Sequence, residues 1–119
     1  MNVQEISLDV TKKPSTLQMV YLGQGDRGGT TLRCHVYDDG GALALGGMTA
    51  KLKMRKPKGA GYYTCQGSVS GNVATFAIDE SSACTQAGTT DVAYVEITSG
   101  SARTSTNRFR VVVLESAEG

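Results

Sequence analysis

Apolar residues recur in this chain with a period of two, and this alternation is the feature that most limits how the chain can fold. In the clearest case, residues 48–55, four apolar side chains alternate with polar or charged ones: Met48, Ala50, Leu52 and Met54. Successive side chains of a β-strand point to opposite faces of a sheet, whereas the apolar residues of a surface helix recur every three to four positions. The segment therefore predicts a strand with one face in a hydrophobic core and the other in solvent.

The same pattern recurs in short segments along the chain, and turn-forming residues such as Asp38–Gly41 (DDGG) separate most of them. The pattern predicts eight strands: Ile6–Val10, Leu17–Leu22, Leu32–Tyr37, Met48–Arg55, Tyr62–Val69, Val73–Ile78, Asp91–Thr98 and Thr106–Leu114. Helical character is confined to Asp79–Thr90, where we expect Asp79 or Ser81 to cap a short turn that Gly88 stops. Short strands at this spacing are typical of an antiparallel sandwich or barrel, so the predicted fold class is all-β.

Length and composition indicate one domain and exclude several classes of protein. The chain has 119 residues, which suffices for one domain with its own hydrophobic core. Twelve Lys and Arg against eleven Asp and Glu give a formal net charge of +1, so overall charge points to no particular partner. No apolar run approaches the roughly 18 residues that a membrane-spanning helix needs, and the first ten residues lack the pattern of a secretory signal. We expect a single domain over residues 1–114, a tail or the start of a linker over 115–119, and no insertion into a membrane.

The cysteines are Cys34, Cys65 and Cys84, an odd number without CxxC or Cys–His spacing. Zinc sites have such spacings, and the disulfide frameworks of small secreted domains have even counts. The sequence therefore predicts reduced cysteines that serve as small apolar side chains in a reducing cytosol. A single Cys34–Cys65 or Cys65–Cys84 bridge is the alternative that the sequence leaves open.

Residues that could perform catalysis are few. His35 is the only histidine, and we expect it on the polar face of a strand without a nucleophile signature such as GxSxG. The adjacent acids Asp38–Asp39 and Asp79–Glu80 are expected to solvate or cap turns. Residues 23–28 (GQGDRG) match the GxGxxG pattern of dinucleotide sites, but a strand rather than a helix is expected to follow. We therefore expect no enzyme, no cofactor and no metal site.

Positive charge is concentrated in one segment that contains five cations: Lys51, Lys53, Arg55, Lys56 and Lys58. The first three share one face of the predicted strand. Three interpretations are open for this face. The first is a solvated or edge-protecting face, the second is a docking surface for a partner protein, and the third, with the least support, is a face that binds nucleic acid. No aromatic residue lies among these cations, so a stacking platform for single-stranded nucleic acid is only weakly indicated.

Three motifs in sequence order point together to one known protein family. The first runs from Ile6–Lys12 (ISLDVTK) through Gln24–Asp26 (QGD) to a strand that begins at Thr30. The second, Gly47–Gly59 (GMTAKLKMRKPKG), is similar to the family stretch G-x-T-x-x-F-x-x-x-K-P-D-G, with Lys58 where the family has an acid. Residues 93–97 (AYVEI) and 105–109 (STNRF) look like the closing strands of the family. Together the three motifs, over about residues 4–114, resemble the N-terminal domain of phage baseplate upper proteins.

The resemblance implies an immunoglobulin-like β-sandwich with a structural, non-catalytic function in a siphophage tail. In that family the domain fixes the protein to the baseplate core, and a following region carries the receptor-binding proteins. By this resemblance the partners are other baseplate subunits, the receptor-binding protein and further copies of the chain, and the chain resides in the virion tail after assembly in the host cytoplasm. We expect a longer protein to continue after residues 115–119.

Exposure and charge, rather than the resemblance, suggest which residues contact these partners. We expect one contact in the glycine-rich loop and one on the basic strand face: Gln24, Asp26, Arg27, Lys51, Lys53 and Arg55.

The alternative function is an immunoglobulin-like module that binds carbohydrate or a surface. Such modules stack sugars on exposed aromatic rings. This chain has no tryptophan, and the candidate rings are all tyrosines: Tyr21, Tyr37, Tyr62 and Tyr63. A small hydrolase has still less support, because it would depend on His35 alone.

Overall fold

The structure is a computed structural model that describes residues 2–11, 17–24 and 29–115. These residues form two β-sheets, one short α-helix and one 3-10 turn. The strands are β1 (Asn2–Asp9), β2 (Met19–Gly23), β3 (Thr30–Asp38), β4 (Gly41–Ala42), β5 (Thr49–Arg55), β6 (Tyr62–Gln66), β7 (Ser68–Ser70), β8 (Val73–Ala77), β9 (Gly88–Ser99), β10 (Ala102–Ser105) and β11 (Phe109–Leu114). Helix α1 is Glu80–Ala83, and the 3-10 turn is Pro57–Gly59.

The two sheets pack face to face as a sandwich. One has five strands in the order β1–β3–β8–β7, with β4 beside β3, and the other has six in the order β2–β11–β9–β5–β6, with β10 beside β9. Alternate side chains of both sheets meet in one core, where Val36, Phe76, Val95 and Phe109 are completely buried. The all-β class and the sandwich are confirmed.

The expected antiparallel arrangement is wrong for two strand pairs. β1 pairs with β3 in parallel, and β2 pairs with β11 in parallel, so both sheets are mixed. After β1 the chain crosses to the other sheet to form β2 and then returns to form β3 beside β1, which gives β1 and β3 the same direction. The alternation of apolar residues shows which side chains face the core but carries no information on strand direction. The immunoglobulin-like strand order stays a prediction.

The described residues form eleven strands rather than the eight predicted. The main difference is at Tyr62–Val69, which was expected to be one strand. Gly67 divides it into β6 of the six-stranded sheet and β7 of the five-stranded sheet. Gly67 permits this crossing because a Cβ there would lie 2.7 Å from the carbonyl oxygen of Thr75 and 2.7 Å from the ring of Phe76. The short strands β4 and β10 account for the other two, in hairpins with β3 and β9.

The turn predicted at Asp38–Gly41 is confirmed, and its conformation explains its residues. Asp39 and Gly40 have φ values of 51° and 88°, the left-handed pair that a type I′ turn requires. The carboxylate of Asp9 accepts hydrogen bonds from the N–H groups of Asp39 (2.9 Å) and Gly40 (2.9 Å). The end of β1 therefore fixes the turn that joins β3 to β4.

Helix α1 begins where the sequence predicted, with Asp79 as its N-cap. The Asp79 carboxylate accepts hydrogen bonds from the N–H (3.2 Å) and hydroxyl (2.6 Å) of Ser81 and from the hydroxyl of Ser82 (3.0 Å). These hydrogen bonds hold the pKa of Asp79 below its ordinary value. The helix already ends at Ala83, and Gly88 begins β9 rather than stopping the helix.

Acid is expected to weaken the folded state in part through Asp79. Because its folded-state pKa is lowered, the ionised carboxylate adds to stability above its unfolded-state pKa, and this contribution is lost as the pH falls through the folded-state pKa. Asp79→Asn keeps a capping side chain but removes the titration. We therefore expect the free energy of unfolding in urea to differ less between about pH 6 and about pH 3 in this variant than in the wild type. Equal differences would contradict this role of Asp79.

The three cysteines, all within the described residues, form no disulfide: Cys34 and Cys84 are buried in the core, and Cys65 is partly exposed. The prediction of reduced cysteines is confirmed, and neither alternative bridge, Cys34–Cys65 or Cys65–Cys84, is formed. Burial raises the pKa of the Cys34 thiol to about 12, which keeps it in the unreactive thiol form.

Thiol labelling with DTNB checks which of the three cysteines is accessible to solvent. We expect the native protein to react quickly at Cys65 and the unfolded protein to react at all three cysteines. Cys65→Ser should remove the fast phase, whereas Cys34→Ser should leave it unchanged. Fast labelling of two thiols in the native protein would contradict the burial of Cys34 and Cys84.

Candidate protein interface

The predicted contact residues of β5 lie on the outer face of the six-stranded sheet. Lys51 and Arg55 are exposed and Lys53 is half-buried, while the alternate residues of β5 face the core. β5 lies between β9 and β6 and is therefore not an edge strand. The interpretation that these lysines protect a sheet edge is wrong, because alternation within a strand does not show its place in the sheet. A solvated face, a docking surface for a protein and, with the least support, a nucleic-acid-binding face remain.

Lys53 differs from its neighbours because Glu96 compensates its charge. Its Nζ lies 3.0 Å from Oε2 of Glu96 on β9, and Arg103 Nε lies 4.0 Å from the other carboxylate oxygen. Lys51 stands opposite Glu96 in the strand register but forms no ion pair with the residues that the structure describes. Lys51 and Arg55 are therefore the cations of β5 that present their charge to solvent.

A groove of about 400 Å³ lies beside Lys53 and Arg55 on this outer face, and we name it the basic groove. The Cζ of Arg55 lies 5.9 Å from the centroid of the Tyr62 ring, a cation–π distance. Tyr94 of β9 and Arg108, which precedes β11, also line the groove. Among the described residues that line it, none carries a carboxylate. The groove therefore combines positive charge with aromatic walls.

The second predicted contact segment is only partly described. Gln24 donates its N–H to the carbonyl oxygen of Leu114 (2.8 Å) and its side-chain amide to that of Thr85 (3.4 Å). Asp26 and Arg27 lie outside the described residues. Gln24 follows the edge strand β2, which β11 and β9 separate from β5, so the structure does not bring Gln24 to the basic residues.

Sequence reasoning missed an apolar strip at the β2 end of the same outer face. Met19 and Tyr21 on β2 are 40% and 47% exposed, and Leu114 on β11 is 53% exposed. Val112 lies opposite Tyr21 in the register. Contiguous exposed apolar residues often mark a contact with another protein. The sequence signal was the run Leu17–Leu22, but both of its faces are apolar, so alternation did not reveal which side chains face outward.

An ion pair lies between the apolar strip and the basic groove. Arg110 of β11 donates from Nε to Asp91 Oδ1 (2.6 Å) and from Nη2 to Oδ2 (3.3 Å). The hydrogen bond from Arg110 holds the pKa of Asp91 below its usual range. Arg110 is therefore a compensated cation, unlike Arg108 two residues earlier in the chain.

His35 lies on the outer face of the five-stranded sheet, in the strand position that the sequence predicted. Its Nε2 is 2.8 Å from Glu5 Oε1, and Arg33 Nη1 lies 3.7 Å from the same oxygen. The hydrogen bond with His35, supported by the charge of Arg33, lowers the pKa of Glu5. The three side chains form an exposed polar cluster.

Within residues 2–11, 17–24 and 29–115, no three His, Cys, Asp or Glu side chains are grouped so that they could hold a metal ion. The glycine-rich segment is followed by strand β3, as predicted, rather than by the helix of a dinucleotide site. In the part of the chain that is described, no helix has the length and apolar character needed to cross a membrane.

Comparison with known families decides what kind of protein carries this surface. The model of the BppU N-terminal domain, the N-terminal domain of baseplate upper proteins, matches residues 2–119. The chain belongs to this family. The baseplate upper protein domain has a structural role in the phage tail baseplate, and the resemblance drawn from the sequence motifs is confirmed. None of the curated proteins matches the chain.

A solved structure shares the fold of this baseplate upper protein domain. The N-terminal domain of phage TP901-1 ORF48 is similar with a TM-score of 0.76, over 96% of this chain and 99% of that chain. The two sequences are 15% identical, so the likeness shows the fold alone. The similarity extends over the whole sandwich rather than over a local motif.

Proposed function

We propose that the baseplate upper protein domain attaches the receptor-binding, host-adsorption apparatus of a phage to the core of its tail baseplate. The observation that carries the proposal is the family match over residues 2–119. The proposed role is non-catalytic and needs no cofactor. The outer face of the six-stranded sheet supports it, because the apolar strip and the basic groove offer the apolar, aromatic and arginine side chains that protein interfaces favour.

The proposed partners are other baseplate subunits, the receptor-binding protein and further copies of this domain, without nucleic acid. Lys51 and Arg55 are proposed as contacts, with Lys53 already engaged by Glu96. The segment Gln24–Arg27 is proposed as a second, separate contact. The proposed location is the virion tail, after assembly in the host cytoplasm.

Carbohydrate binding, the alternative function, has less support from the positions of the tyrosines. Tyr63 is 7% exposed, and its hydroxyl is hydrogen-bonded to the backbone, so its ring is not available for stacking. Tyr62 is 74% exposed, but the guanidinium of Arg55 lies over its ring. Tyr21 is at the opposite edge of that sheet, and Tyr37 is on the other sheet. These four rings therefore share no platform for a sugar.

Phage particles that carry Lys51→Gln together with Arg55→Gln test the attachment function. We expect tails that assemble but lack the distal receptor-binding apparatus in negative-stain electron microscopy. Lys53 is left unchanged because it is paired with Glu96, which would lose its partner. The control is Arg33→Gln with Lys58→Gln, an equal change of charge away from the basic groove. Fully decorated tails in the first variant, with the domain present, would contradict the proposed contact.

A further inference from the structure

We propose that the basic groove binds an acidic segment of polypeptide from a neighbouring baseplate subunit. The proposal rests on the attachment function and adds the chemistry of the segment that the domain recognises. It follows from three properties of the groove. Its arginines form no ion pair with described residues, their N–H groups are available to donate hydrogen bonds, and nearby residues offer surface for the aliphatic part of an acidic side chain.

The charge of the groove is not balanced within the described part of the domain. Arg55 and Arg108 are exposed, and neither forms an ion pair with a described residue. Their neighbours on the same sheet face are different, because Lys53 is paired with Glu96 and Arg110 with Asp91. A concave surface lined by charge of one sign concentrates the electrostatic potential and attracts the opposite charge. An anion in the groove would therefore be attracted by both uncompensated guanidinium groups.

The contact with Tyr62 prepares Arg55 for a carboxylate. Its Cζ lies 5.9 Å from the ring centroid, a cation–π distance. This contact does not use the N–H groups of the guanidinium as hydrogen-bond donors. A guanidinium donates its N–H groups in its own plane, and two of them match the two oxygens of a carboxylate. Tyr94 and Val92 provide nearby surface for the aliphatic part of an acidic side chain.

An acidic peptide fits this chemistry better than a sugar or a nucleic acid. Sugar hydroxyls donate as well as accept, but the charged groups of the groove only donate and no described carboxylate lines it. Single-stranded nucleic acid needs a basic track with several open aromatic faces. Here Lys53 is paired with Glu96 and Arg110 with Asp91, and the guanidinium of Arg55 covers the ring of Tyr62. A short stretch with two or three carboxylates would supply acceptors for the two uncompensated arginines, Arg55 and Arg108.

Titration of the 15N-labelled chain with a defined peptide tests the proposal. The probe is the acetylated and amidated hexapeptide Glu-Asp-Tyr-Glu-Asp-Glu, and its comparison peptide is Gln-Asn-Tyr-Gln-Asn-Gln. We expect the acidic peptide to shift the backbone amide signals of β5, β6 and Arg108 with a dissociation constant of about 1 mM. Binding should weaken strongly between about 50 mM and about 500 mM salt. The amide peptide should cause no such shifts.

Two matched variants separate the groove from general surface charge. Arg55→Gln with Arg108→Gln should weaken binding about tenfold or more. Arg33→Gln with Lys58→Gln removes the same charge outside the groove and should change the affinity less than about twofold. Equal losses in both variants, equal binding of the amide peptide, or no shifts at about 5 mM acidic peptide would overturn the proposal. So would tighter binding at the groove by a thymidine hexanucleotide or by maltohexaose.

The peptide titration tests the groove separately from the attachment function. The titration uses the isolated chain and reads the groove directly, whereas attachment is read in phage particles. Groove binding without a role in tail assembly would overturn the attachment function, and tail attachment without groove binding would overturn the inference.

Discussion

Replacing Gly67 with alanine is expected to lower the free energy of unfolding by about 3 kcal/mol. The added Cβ would lie 2.7 Å from the carbonyl oxygen of Thr75 and 2.7 Å from Cε1 of Phe76. The Phe76 ring is completely buried and Thr75 contributes backbone, so neither group can move aside cheaply. The crossing between β6 and β7 would have to shift, and with it the junction of the two sheets. Urea denaturation measures the change.

Gly46→Ala is the matched control for this substitution. Gly46 is exposed, and an added Cβ there meets no atom within 4 Å. We expect its free energy of unfolding to stay within about 0.5 kcal/mol of the wild type. If Gly67→Ala were as mild as Gly46→Ala, the close approach of Gly67 to β8 would be wrong.

Glu80→Ala is expected to lower the free energy of unfolding by about 2 kcal/mol. Glu80 is the first residue of α1 and is 1% exposed. Its Oε1 accepts a hydrogen bond from the N–H of Gly29 (3.1 Å), and its Oε2 accepts one from the hydroxyl of Thr30 (2.8 Å). Removal of the carboxylate leaves the buried hydroxyl of Thr30 without this acceptor and detaches α1 from the start of β3.

Glu80→Gln distinguishes the loss of hydrogen bonds from the loss of charge. The amide oxygen can still accept from Gly29, and its NH2 can donate to Thr30, whose hydroxyl then accepts. We therefore expect Glu80→Gln to cost less than half as much as Glu80→Ala in the same urea experiment. A loss in Glu80→Gln as large as that in Glu80→Ala would show that the negative charge itself is required.

Local features of the fold could be predicted because they depend on neighbouring residues. The alternation in residues 48–55 correctly assigned the inner and outer faces of β5. The turn at Asp38–Gly41 followed from residues that tolerate left-handed φ, and the cap at Asp79 from a side chain that accepts hydrogen bonds from the first turn. In each case the decisive interactions join residues only a few positions apart.

Features that depend on long-range contacts could not be predicted from pattern. The parallel pairing of β1 with β3, the interior position of β5 and the crossing at Gly67 all depend on which strands meet in space. Glu80 was expected to solvate a turn, but Gly29 and Thr30 lie about 50 residues earlier in the chain and make it a buried acceptor. The basic groove likewise joins Arg55 and Tyr62 to Tyr94 and Arg108, which are distant in sequence.

Immunogold electron microscopy of virions from the phage that encodes this chain tests the central claim most directly. With an antibody raised against the domain, we predict label at the distal end of the tail, where the baseplate lies. Virions of a phage with the gene deleted provide the control for the antibody. Intact tails without label, in particles where mass spectrometry also finds no peptide of the chain, would contradict a structural role in the baseplate.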